Sequence, residues 1–344
     1  STGGTALTIV KGDGSARLYA FTLTGDAKHA VNVTSIRLRL YIDAGGTDKD
    51  FDQGVDLDDP TQWTASQVIS GMSLRDLASG KTLASLFSLP GDGVAQFNVN
   101  LAVEAGKKMD IELVASVNTA PSGVRLSASL TPSTDLVATA PSSSGLTISP
   151  ATATNGDRTP NVIATVRDFG SMKLTTTSSS GDGVRPLGIE FSPFSLVFTS
   201  TGEPFTVTAL SLTTTSEGTA ALVANELLLT YKKEDGTTEI DSHNSTDNNI
   251  FRFINLAIFV PKGGSVTIPV TVRPSSQIDV FSGSRLQLKL HPDYFSADSV
   301  YSKMQYTYDH FADSARLTNA TSSSPLTLFR QSYPQFSAHA ASPT

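Results

Sequence analysis

The chain has 344 residues, a length that fits about two domains, each able to bury a core without staples. It has no cysteine, which excludes a disulfide framework, thiolate zinc sites and cysteine nucleophiles. A net charge of −7 with no dense Lys/Arg cluster argues against nucleic acid, and no apolar run reaches the roughly 18 residues of a transmembrane helix. The chain begins STGGTALTIV without Met, which reads as a trimmed or processed product, so the lack of a signal peptide is uninformative.

Abundant Thr, Ser, Val, Gly and Pro favour strands joined by turns. TALTIV (5–10) is strand-like, and LYAFTL (18–23) and VNVTSIRLRLYI (31–42) alternate with the period of two of a half-buried strand. An acidic stretch follows, TDKDFDQGVDLDDP (47–60), and then MSLRDLASGKTL (72–83) reads as strand, turn, strand. VAQFNVNLAVEAGKKMDIELVASVNT (94–119) and VRLSASL (124–130) complete a first half.

The second half repeats this order, with FSLVFT (194–199), FTVTALSLTT (205–214), ELLLTYKKEDGTTEI (226–240), FRFINLAIFVPKGGSVTIPVTVRP (251–274) and RLQLKL (285–290). The expected fold is therefore all-β: two tandem immunoglobulin-like β-sandwich domains, each of two packed antiparallel sheets. The expected boundaries are a first sandwich over 1–132 with an acidic insertion at 43–66, a connector over 133–160 and a second sandwich over 161–291. The connector reads equally as a free linker or as a strap across the first sandwich. A C-terminal extension over 292–344 holds exposed-type aromatics, including Tyr333 and Phe336 in SPLTLFRQSYPQF (324–336), that need covering. Residues 5–10 and 324–336 are expected to be assembly segments, each adding a strand to a neighbouring subunit.

The acidic insertion has no counterpart of its length in the second half, which makes it the prime site candidate. Asp48, Asp50, Asp52, Asp56 and Asp59 fall at positions 1, 3, 5, 9 and 12 of a twelve-residue frame. Calcium takes six to eight hard oxygens, and a curled loop can turn such side chains inward. The EF-hand pattern is broken, because position 6 is Gln53 and position 12 is Asp. A solvated acidic loop and a patch for a basic partner remain open beside the calcium loop, with Asp58 as a bystander. Trp63 either pins this loop or offers a sugar platform.

The histidines His29, His243, His291, His310 and His339 show no zinc spacing, and no GxSxG elbow or Walker loop is present. His310, between Asp309 and Asp313, reads as a surface or interface residue rather than a catalytic one. Asn32, Asn244 and Asn319 begin N-glycosylation patterns.

The segments VNVTSIRLRL, FNVNLAVEAGKKMDIELVASV, FTVTALSLTT and INLAIFVPKGGSVTIPVTV resemble the tandem immunoglobulin-like units of secreted prokaryotic surface, surface-layer and filament proteins. That resemblance implies a non-enzymatic extracellular structural subunit that self-associates into a filament or array, and it transfers no catalytic residue. The alternatives are an adhesin or glycan-binding module, a viral tail or capsid protein, and a secreted hydrolase.

Overall fold

The computed structural model describes residues 5–44, 51–57, 62–117, 122–139, 147–149, 162–178, 184–186, 190–217, 224–244, 249–274, 285–307, 317–319 and 326–329. The chain divides into two compact units, Ser1–Gly170 and Ser171–Thr344. Both are all-β, and the α-helices among the described residues are two single turns.

The first unit runs β1 (Thr5–Val10), β2 (Ala16–Thr24), β3 (Val31–Asp43), β4 (Asp52–Gln53), α1 (Ala65–Val68), β5 (Ile69–Asp76) and β6 (Thr82–Leu86). It continues with β7 (Val94–Val103), β8 (Lys108–Val117), β9 (Arg125–Ser129), α2 (Pro132–Asp135), β10 (Leu136–Thr139), β11 (Thr147–Ser149) and β12 (Val162–Arg167). One sheet is ordered β1-β12-β9-β3, with β7 on the far side of β3, and the other β11-β2-β8-β5-β6. A single apolar cluster takes Ile36, Leu38 and Phe97 from the first sheet and Phe21, Leu74 and Leu113 from the second.

The second unit runs β13 (Ser171–Ser178), β14 (Val184–Pro186), β15 (Phe191–Thr201), β16 (Phe205–Glu217), β17 (Ala224–Lys232) and β18 (Thr238–Asn244). Then come β19 (Ile250–Val260), β20 (Ser265–Pro274), β21 (Arg285–Ser299), β22 (Gln305–Thr307), β23 (Leu317–Asn319) and β24 (Leu326–Phe329). Its sheets are ordered β14-β24-β21-β16-β19 and β18-β17-β20-β15-β13-β23. Here too one cluster joins both sheets, through Leu210, Phe253 and Phe295 on one side and Phe198, Leu229 and Val270 on the other.

The two pairing schemes share most of their ladders, although the parallel pair β13-β23 has no counterpart in the first unit. β3 pairs β7 and β9 as β16 pairs β19 and β21, and β8 lies between β2 and β5 as β20 lies between β15 and β17. The edge hairpin β5-β6 matches β17-β18. The parallel pair β1-β12 matches β14-β24, and the inner strand of each meets β9 or β21 antiparallel.

The likeness extends to a backbone irregularity. In β3 the apolar buried positions are Val31 and Val33, then Ile36, Leu38 and Leu40, so the alternation slips by one residue. In β16 they are Phe205 and Val207, then Leu210 and Leu212. Each slip is a β-bulge at a Val-Thr step. The Thr34 hydroxyl donates across it to the Val137 carbonyl at 3.2 Å, and the Thr208 hydroxyl donates to the Ser296 carbonyl at 3.3 Å.

These pairings relocate three expected segments. Part of the 133–160 connector is strand, because β10 lies on β3 and β11 on β2. β12, placed by the sequence reading in the second sandwich, sits between β1 and β9 of the first unit. The 292–344 extension begins inside β21: Leu136 opposes Ile36 as Phe295 opposes Leu210, so Leu-Thr-Pro at 130–132 and Leu-His-Pro at 290–292 open equivalent segments.

Of the segments expected to add strands to neighbouring subunits, residues 5–10 and 326–329 take part in the sheets of their own unit. β1 is hydrogen-bonded along its length to β12, and β24 pairs with both β14 and β21 of its own unit. Residues 324–325 and 330–336 lie outside the described residues.

Candidate functional site

The acidic insertion leaves β3 at Asp43, whose side chain is 2% exposed. A buried carboxylate requires a partner, and the Arg125 guanidinium at the start of β9 supplies an ion pair. The same guanidinium lies 5.2 Å from the Phe51 ring centroid, and Phe51 is buried beneath it. β4 then pairs with Tyr41 and Ile42.

Beyond β4 the backbone turns at Gly54, with φ +78°. A Cβ here would lie 2.6 Å from the Asp92 carbonyl carbon, so the backbones of Gly54 and the 91–93 turn approach as closely as glycine permits. The Gly54 N–H donates to the Leu40 carbonyl, and the Leu40 N–H donates to the Gly93 carbonyl. Val55 bridges to Thr64, the Asp56 N–H donates to the Trp63 carbonyl, and Thr64 with Gln67 closes a capping box on α1. Trp63 packs against the core rather than standing free.

Of the five predicted metal ligands, Asp52 and Asp56 are described; Asp48, Asp50 and Asp59 lie outside the described residues, as does Asp58. Asp52 accepts a hydrogen bond from the Leu57 N–H at 3.1 Å, and Asp56, 5% exposed, accepts one from the Ala44 N–H at 2.5 Å. Both carboxylates thus shape the loop's backbone. Among the described residues no group of three or more His, Asp or Glu converges.

Other buried acids serve as local braces. Asp135 receives two bonds from Arg39, at 3.0 and 3.2 Å, and one from the Thr131 N–H, tying α2 to β3. Glu203 accepts the Tyr301 and Ser302 N–H groups at 2.9 Å each, holding the turn before β22. On β17-β18 the Tyr231 hydroxyl lies 2.7 Å from Asp241 and 3.2 Å from Glu239. Burial, then its hydrogen bond to Asp241, push the Tyr231 phenol above its ordinary range. Burial also pushes Tyr19 up to about 12.

His29 pairs loosely with Asp26, and His243 packs edge-on against Phe253. His310 and His339 lie outside the described residues. Asn32 lies within the β3 ladder, where the threonine of its glycosylation pattern bonds across the bulge. Asn244 is exposed at the end of β18. Of the two roles expected for Trp63, its packing on the core fits the pin rather than the sugar platform. The exposed aromatic that sequence reasoning missed is Phe87, 92% accessible, directly after β6. No periodicity flags it, because it ends a strand whose apolar residues look like ordinary core.

No protein-family model and no curated protein matches the chain. Solved structures that match include an Eubacterium rectale protein described as secreted (11% identity, 81% of this chain, 69% of that chain, TM-score 0.25). The fibronectin(III)-like modules of Clostridium thermocellum CbhA match at 7% identity over 99% of this chain and 96% of theirs, with a TM-score of 0.17. Self-complemented MyfA, the major subunit of Myf fimbriae from Yersinia enterocolitica, matches at 12% identity over 38% of this chain and 93% of its own, with a TM-score of 0.15. At these TM-scores the superpositions carry no weight for fold or function. No described helix is long and apolar enough to cross a membrane.

Proposed function

We propose that the chain is a non-enzymatic extracellular structural subunit whose copies associate into a filament or surface array, built from two immunoglobulin-like β-sandwich units. The observation that supports this most is the repetition of one pairing scheme, bulge included, in two units whose described polar groups brace turns and strands instead of converging on a cleft. Extracellular placement rests on the sequence resemblance to tandem surface-protein units. Calcium enters the proposal at the insertion, held by Asp48, Asp50, Asp52, Asp56 and Asp59. The ion would cancel the repulsion of clustered carboxylates and stiffen the loop.

Electron microscopy and sedimentation of the purified chain, with calcium and with chelator, test both parts. Ordered assemblies are the expected result, with a calcium-dependent gain in protease resistance around residues 45–61. A chain that stays monomeric at every concentration removes the structural-subunit reading. Identical proteolysis with and without chelator removes the calcium.

A further inference from the structure

One strand of the first unit is covered less than its counterpart in the second. Phe194, Leu196 and Phe198 of β15 oppose Val270, Ile268 and Val266, as Tyr19, Phe21 and Leu23 of β2 oppose Leu113, Ile111 and Met109. The other side of β15 is paired from Phe194 to Thr201 by the eight residues of β13, and the three-residue β23 lies outside β13. On β2 that place holds only the three residues of β11, with Ile148 opposite Leu23 where Leu174 is opposite Phe198. Along residues 16–21 no strand among the described residues pairs with this side of β2.

The path of the chain shows where such a covering strand comes from. β13 follows directly on β12, the last strand of the unit before it. β24 is the counterpart of β12, because Thr327 opposes Arg285 as Thr165 opposes Arg125. In step with that pairing, Pro334, Phe336, Ala338 and Ala340 fall at the places of Met172, Leu174, Thr176 and Ser178. Residues 330–344 lie outside the described residues, and within them PQFSAHA (334–340) alternates apolar and polar. Its phase is that of β13, whose Met172 and Leu174 are buried while Lys173 is exposed.

We infer that residues 334–340 of one copy add a strand to β2 of a second copy, antiparallel to it, with Phe336 opposite Leu23. β11 then moves to the outer side of the added strand, as β23 lies outside β13. The inference rests on the self-association proposed above and names its surface. In this register Ala338 and Ala340 oppose Phe21 and Tyr19, small residues against large ones, as Thr176 and Ser178 oppose Leu196 and Phe194. Gln335, Ser337 and His339 face solvent, because opposed residues in an antiparallel pair share a face. Pro334 falls on the first residue of the strand, where a missing N–H is tolerated. The occupant follows from the repeat: the segment after the last strand of one unit already covers the next unit within a single chain. Between copies this contact joins two different surfaces, the kind that repeats into a filament instead of closing a twofold dimer.

The absence of cysteine gives a direct test on the full chain. Two single-cysteine proteins, Thr22→Cys and Ser337→Cys, are mixed and mildly oxidised; the inferred register sets these positions directly opposite, within disulfide reach. A covalent dimer with one copy of each is expected at a yield at least about fivefold above that of Ser337→Cys mixed with Ile240→Cys, a site 62% exposed. Ala20→Cys with His339→Cys probes the same register should Thr22→Cys fail to fold. Phe336→Asp, added to the Ser337→Cys chain, is expected to return the yield to that of the Ile240→Cys mixture. Sedimentation of the cysteine-free Phe336→Asp chain is expected to show lost assembly. Equal yields at Thr22 and Ile240, or a yield that survives Phe336→Asp, overturns the inference. So does a monomeric product with an internal disulfide when Thr22→Cys and Ser337→Cys are placed in one chain, since the segment then closes on its own β2. If microscopy still shows assemblies in any of these cases, the structural-subunit reading stands and only its surface is wrong.

Discussion

Replacing Gly54 by alanine isolates the contact that holds the acidic insertion to the first unit. At φ +78° a side chain costs about 1–2 kcal/mol. The new Cβ would also lie 2.6 Å from the Asp92 carbonyl carbon and 2.8 Å from both the Gly91 oxygen and the Gly93 nitrogen. Backbone atoms cannot rotate away, so the 91–93 turn has to move by nearly an ångström. That movement stretches the Leu40–Gly93 and Gly54–Leu40 hydrogen bonds, 2.8 and 3.1 Å long, each contributing about 1 kcal/mol net. The expected loss is about 3–4 kcal/mol, a drop of roughly 1.5–2 M in urea midpoint at an m-value near 2 kcal/mol/M. The single tryptophan, Trp63, lies in this insertion, so fluorescence excited at 295 nm reports the first unit alone. Gly80→Ala is the matched control, with φ +67° and open space around its Cβ; it should lose only the backbone part, about 1–2 kcal/mol. Equal midpoints for the two variants would show that close approach at Gly54 contributes nothing.

Arg125→Met leaves Asp43 buried without its cation and uncovers Phe51, and should cost about 3–5 kcal/mol by the same fluorescence assay. Adding Asp43→Asn should restore part of that loss, and no restoration would refute the ion-pair account. The Tyr19 hydroxyl is buried with no hydrogen-bond partner among the described residues, so Tyr19→Phe should gain about 1 kcal/mol. Its folded pKa is raised to about 12. Its contribution is therefore complete below the ordinary value near 10 and fades as pH climbs through 12. Alkaline unfolding followed by circular dichroism should start higher in the Phe variant. Residues 1–170 should fold cooperatively alone, whereas residues 1–160 lack β12, leave β1 without a ladder partner and lose Ala164 and Val166 from the core. Comparable urea midpoints for the two fragments would contradict the unit boundary.

The alternation along 31–42 and 205–214 was enough to align the halves and predict an all-β chain, because an amphipathic strand writes its two faces directly into sequence. The bulge was legible too: apolar residues shift from odd to even numbers between Val33 and Ile36, and from odd to even again between Val207 and Leu210. The end of the first unit was not. β12 lies 157 residues from the strand it pairs in parallel, Val162 against Thr5. A parallel ladder between distant segments leaves no turn to mark it. The equivalence of 130–139 with 290–298 was hidden in a similar way, since a helical turn interrupts one copy and the other continues as strand. At the candidate site the aspartates advertised charge, yet nothing local told Asp43 or Asp135 from the chain's other aspartates. Their arginines lie 82 and 96 residues away, and long-range ion pairs carry no periodicity.

A repeat also supplies an internal control that a single unit lacks. Features present in both copies, such as the Val-Thr bulge and the parallel pair at one end of a sheet, answer demands of the scaffold. Features present in one copy answer something else. The first unit alone carries the long acidic insertion, with Asp43, Phe51 and Arg125 locking its root, and the first unit alone leaves its edge strand neutral beside an exposed Phe87. The second unit spends charge on the same edge, through Glu239 and Asp241, at the position where β6 has only Leu83, Ala84 and Ser85. Each edge is guarded in its own way, β18 by charge and β6 by its short length and a β-bulge at Leu83.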